Sequence, residues 1–170
     1  MSTSSVKLYS YNLTSAKTYL FSGIFIAGNI LLPQLAHFVP QGGLIFLPIY
    51  FFTLIAAYKF GLKVGLITAV FSPLINHLLF GMPMLAMLPI IFIKSTLLAT
   101  AAALIAKHFG KVSLLAIVLA VIAYQILGGM AEWAITGSFA AAVQDFRLGF
   151  PGILLQIFGG FAVLKAIEKY

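Results

Sequence analysis

The chain has 170 residues, of which 62% are hydrophobic and only 8% charged, with a mean hydropathy of +1.13 and a formal net charge of +7. That balance excludes an ordinary water-soluble domain, which could not hide so much apolar surface. The absence of cysteine excludes disulfides and thiolate metal sites.

Six apolar runs follow one another along the chain. After a polar start, Met1 to Lys17, the first is predicted over about Thr18 to Val39. It outlasts a signal-peptide core, so the helix is expected to be retained. Pro40-Gln41-Gly42-Gly43 reads as a turn. The second run, about Leu44 to Tyr58, is short for a span and must borrow flanking residues or sit in thinned bilayer. The third covers about Val64 to Phe80, and Gly81-Met82-Pro83 punctuates its end. The fourth is predicted over about Met84 to Ala106 and the fifth over about Ser113 to Thr136. A loop from Gly137 to Leu148 precedes the sixth, about Gly149 to Ile167. A full span needs about 20 residues. None of the runs shows the period of two of a transmembrane β-barrel.

These runs predict an all-α membrane protein: a six-helix bundle over residues 18–170, preceded by a cytoplasmic tail, 1–17. Charge placement orients it. Lys7, Lys17, Lys59, Lys63, Lys107, Lys111, Lys165 and Lys169 all fall on one side if both termini are cytoplasmic, and the positive-inside rule selects that orientation. The expected location is the cytoplasmic membrane of a prokaryote. The lysines occur singly or in pairs at helix ends and form no basic face, so nucleic acid is not an expected partner.

Lys94 stands apart, because it falls inside the fourth run. A charge at that depth costs at least about 2.5–3.5 kcal/mol and should face the bundle interior. It reads either as an anchor for an anionic ligand group, as half of a structural ion pair, or as a side chain snorkelling to an interface. Glu132, near the outer end of the fifth run, is its candidate partner or a ligand contact in its own right. Gln34 and His37 in the first run and Asn76 and His77 in the third lie near the outer level. Tyr124 and Gln125 in the fifth and Gln156 in the sixth need buried partners. Together with Trp133 these residues are candidates to line a pocket, although aromatics also form interfacial belts. The histidines lack metal-ligand spacing. Gly23 and Ala27 form a small-xxx-small pair that suits either packing within the bundle or docking to another membrane subunit.

Enzymatic motifs are missing. Gly42-Gly43 is no phosphate loop, and Asp145, Glu132 and Glu168 are the only acids. No cofactor is expected, and with no ATP-binding motif any energy for active transport would have to come from an ion gradient or a partner.

Phe80-Gly81-Met82-Pro83, Leu88-Pro89, Lys94 and the basic exit Ala106-Lys107-His108-Phe109-Gly110-Lys111 resemble the substrate-binding S components of energy-coupling factor (ECF) transporters. The run from Phe46-Leu47-Pro48 through Tyr58-Lys59-Phe60-Gly61-Leu62-Lys63-Val64-Gly65 is similar too. The resemblance implies capture of a vitamin or related micronutrient from outside, docking on a transmembrane coupling subunit, and drive from two cytoplasmic ATPases. It implies a ligand site near the outer face that uses Lys94, Tyr124, Gln125, Glu132, Trp133 and Gln156, with Gln34 and His37 by the capping loop. Lysine at position 94 would suit an anionic micronutrient. Gly23-x-x-x-Ala27 departs from the Ala-x-x-x-Ala docking motif of that family. A non-transporting scaffold of the rod-shape-determining MreD type, similar in size and charge, is the alternative, with Lys94 and Glu132 then an internal pair.

Overall fold

The structure is a computed structural model that describes residues 8–169. Lys7, in the first basic cluster, lies outside the described residues, as does the start of the polar tail. Every regular element among the described residues is helical. Four helices are long and apolar enough to cross a membrane: Ala16–Ala36, Leu62–Phe80, Leu85–Phe109 and Leu114–Thr136. Two shorter apolar helical stretches, Pro48–Phe60 and Phe150–Ala166, complete the bundle.

Helix α1 (Ala16–Ala36) has its polarity inverted relative to a soluble helix. Thr18, Ser22, Phe25, Asn29 and Pro33 are buried at intervals of three or four residues, one helical face. Leu20, Ile24, Leu31 and Leu35 point outward. Polar atoms inside and leucines outside are what an apolar solvent demands. Helix α4 (Leu62–Phe80) repeats the pattern, with Thr68, Ser72 and Asn76 buried and Phe71, Leu78 and Leu79 exposed. In α6 (Leu114–Thr136) small residues face inward at Ala116, Ala120 and Gly128, while Leu115, Leu119, Ile122 and Ile126 face out.

The second predicted run is not one helix. Leu47 adopts a left-handed conformation (φ 46°) and Pro48 lacks an N–H, so the chain breaks between α2 (Gly42–Phe46) and the single 3-10 turn Pro48–Tyr50 that leads into α3 (Phe51–Phe60). The fourth run begins with a 3-10 turn, Leu85–Met87, and continues as α5 (Leu88–Phe109). The predicted loop 137–148 holds two short helices, α7 (Phe139–Ala142) and α8 (Gln144–Arg147). Ser138 caps α7 by accepting from the Ala141 N–H. The sixth run is α9 (Phe150–Leu154) joined to α10 (Gly160–Ala166) through a π turn, Leu155–Gly159.

Helix α3 lies at the centre, against α1, α4 and α5, and α5 packs on α6. The corner between α3 and α4 is a single residue, Gly61 (φ 93°). A Cβ on Gly65 would meet the Ala57 Cβ at 2.5 Å, so the two helices touch backbone to backbone. Segment 8–15 folds over this corner. The Tyr9 N–H donates to the Lys59 carbonyl (2.9 Å), and Tyr9 stacks on Phe60. The buried Lys59 ammonium donates to the Glu168 carbonyl (3.0 Å), so the first and last described segments meet at the same end of the bundle.

Candidate functional site

The opposite end of the bundle encloses a cavity of about 670 Å³. Three connections form its mouth. The first, between α1 and α3, contributes Val39, Pro40, Gln41 and Leu44; the second contributes Met82, Pro83, Met84 and Met87; Gln144 comes from α8. Pro33, Ile49, Asn76 and Ile91 form the floor side, on four different elements. Methionines and prolines give an adaptable apolar wall, with His37, Gln41, Asn76 and Gln144 as its polar groups. Neither lysine nor arginine lines it among the described residues.

A hydrogen-bonded cluster supports the floor. Pro33 has no N–H, which leaves the Asn29 carbonyl, four residues earlier, without its helical donor. Asn76 Nδ2 supplies it at 2.9 Å and also donates to the Ser72 carbonyl at 3.0 Å. Asn29 Nδ2 in turn donates to Thr53 Oγ1 (3.0 Å) and Ser72 Oγ (3.2 Å), and its Oδ1 accepts from the Phe52 N–H (3.1 Å) in the first turn of α3. Three helices are thus pinned by two asparagines.

Beside the cavity lies an ion triad. Lys94 Nζ donates to Glu132 Oε2 at 2.5 Å and to Asp145 Oδ2 at 2.8 Å. The three residues are 3%, 6% and 9% exposed. Gly128, one turn before Glu132, makes room for the lysine: a Cβ there would meet Lys94 Cγ at 2.6 Å. The expected anchor for an anionic ligand is therefore enclosed by two carboxylates, and Lys94 does not line the cavity. With all three groups ionised the triad carries one net negative charge.

A second polar network sits in the core. Tyr124 Oη donates to Gln156 Oε1 (2.8 Å) and accepts from Gln125 Nε2 (2.9 Å), and the Tyr50 ring packs on Tyr124. Gln156 lies in the π turn, a feature that often marks functional sites. All three polar residues are buried, and none lines the cavity.

Of the residues expected at the site, His37 and Asn76 line the cavity. Gln34 is half-buried on α1 and does not line the cavity. His77 Nδ1 lies 2.8 Å from the Pro83 carbonyl and ties the end of α4 to the following turn. Trp133 is 52% exposed, edge-on to Phe139, and closes nothing. Gly23 and Ala27 face outward, and a Cβ at Gly23 would meet nothing within 4 Å; the close packing in α1 belongs to Gly28, against the Phe52 ring.

Asp145, Gln144, Gln41 and the methionines of the second connection were not among the expected site residues. For Asp145 a signal existed. In a chain with three acids, a buried lysine needs a carboxylate, and Asp145 lies in the connection that follows the run holding Glu132. Comparison with family models, curated proteins and solved structures returns no match.

Proposed function

We propose that the chain is the membrane-embedded substrate-capture subunit of an ECF-type transporter. It binds a small micronutrient from outside and docks on a transmembrane coupling subunit served by two cytoplasmic ATPases. The observation that carries this reading is the cavity of about 670 Å³, a volume within the usual range for small-molecule sites. It lies under the connection after α1, and of the residues that the resemblance implies only His37 lines it. Its lining favours a neutral, largely apolar ligand held by a few amide or imidazole contacts, rather than the anion that Lys94 alone suggested.

Six crossings with both termini cytoplasmic suit this role. The shared position of Tyr9 and Glu168 at Lys59 supports an even number of crossings. The lysines at that end, Lys59, Lys63, Lys107 and Lys111, support its cytoplasmic placement. Gly23 and Ala27 are both exposed, and a Cβ on Gly23 would meet open space, which suits a helix-docking face.

The scaffold reading draws on one observation: Lys94 is spent on an internal pair. Native mass spectrometry of the purified protein separates the two. Capture predicts a co-purified small molecule at one per chain, lost when Ile91→Trp fills the cavity. A chain that carries nothing and retains nothing after exposure to a vitamin mixture would be a scaffold.

A further inference from the structure

We propose that Asp145 is a positioning residue, a catch that holds Gln144 in the cavity wall through its ion pair with Lys94. Glu132 then keeps the ammonium paired when the catch lets go. The inference rests on the cavity being a ligand site for its purpose, but not for its geometry.

Lys94 has two partners of different kinds. Glu132 belongs to α6, whose Gly128 abuts the lysine stem, so that pair is fixed by helix packing. Asp145 belongs to α8, a helix of one turn in the outer connection, and its neighbour Gln144 reaches the cavity. An ammonium with a single partner would strongly resist losing it, since an uncompensated buried charge is severely unfavourable. With Glu132 in place, Asp145 can withdraw and leave a paired charge behind. The rest of the segment fits a hinged flap. Gly149, just after α8, packs closely on the Asp145 carbonyl and the Leu47 side chain, and Gly152 of α9 on the Phe46 backbone, so the chain that follows α8 is seated against the first outer connection. α8 would therefore move against a fixed base at Gly149. The catch sets whether Gln144 is presented to a bound molecule.

The absence of native cysteine allows a direct test. Gln144→Cys in the full chain, in nanodiscs, is labelled with a polar maleimide. Asp145→Asn should raise the labelling rate about tenfold or more, the shift expected when a buried ion pair is reduced to a hydrogen bond from the ammonium to a neutral amide. Glu132→Gln should lower it severalfold, because Asp145 is then the single charged partner of the buried ammonium and its release is disfavoured; Asp145→Glu should keep most of the protection. Ala102→Cys, buried in the core, monitors global unfolding. An unchanged rate at position 144 overturns the proposal. So does a rise at positions 144 and 102 together, in Asp145→Asn and in the smaller Asp145→Ser, since the carboxylate would then support the whole bundle. No ligand is used, so a failure here is distinct from failure of the capture reading.

Discussion

Asn76 donates to the Asn29 carbonyl, the oxygen that Pro33 deprives of its helical partner. A proline within a helix and an asparagine 43 residues later in sequence are thus one structural unit. Asn76→Leu should destabilise the protein by about 1–3 kcal/mol, the range for an orphaned buried acceptor. Pro33→Ala restores an N–H at position 33 and should reduce that loss. Thermal unfolding of the two single variants and the double variant in one detergent checks this; strictly additive effects would break the link.

Lys94→Met leaves two carboxylates buried without their cation. The expected destabilisation is about 3–5 kcal/mol. Neutralising both acids as well, in Lys94→Met with Glu132→Gln and Asp145→Asn, should recover most of it, because no isolated charge remains. Chemical unfolding of the single and triple variants reads the difference. A triple variant no better than the single would mean that the hydrogen-bond geometry, rather than charge balance, holds the triad.

Three glycines should respond differently to alanine. Gly65→Ala drives a methyl into Ala57, with its Cα only 2.8 Å away, and Gly128→Ala drives one into the Lys94 stem. Each should lose about 1–3 kcal/mol by overpacking. Gly23→Ala meets open space and should stay within about 0.5 kcal/mol. Melting temperatures of the three variants rank the contacts.

Orientation can be read with the same cysteine-free background. Single cysteines replacing Met84 and Phe139, both exposed, should react with an impermeant maleimide added outside intact cells. Those replacing Lys63 and Lys111 should react only after permeabilisation. The reverse pattern would invert the bundle and close the cavity to the exterior.

Much of the helix plan was legible because lysines and Gly-Pro turns bracket apolar runs: α4 and α6 fall within two residues of their expected limits. The break at Leu47 was not, because a left-handed leucine has no composition signal; Pro48 alone is compatible with a helix start. The site was half legible. Lys94 announced itself by depth, and its pairing with Glu132 was one of its open readings. The cavity wall was hidden, because methionine and proline in connections look like ordinary punctuation until three connections converge. Trp133 misled for the opposite reason: in lipid, a large aromatic has no need of the interior.

The one-residue corner at Gly61, with Gly65 seated on Ala57, gives the molecule an uneven mechanical character. Helices α3 and α4 are joined without slack at that end, while the far end is closed by longer connections that carry the short helices α2, α7 and α8. A displacement of one of these two helices at the basic end would be felt at once by the other, with no linker between them to absorb it.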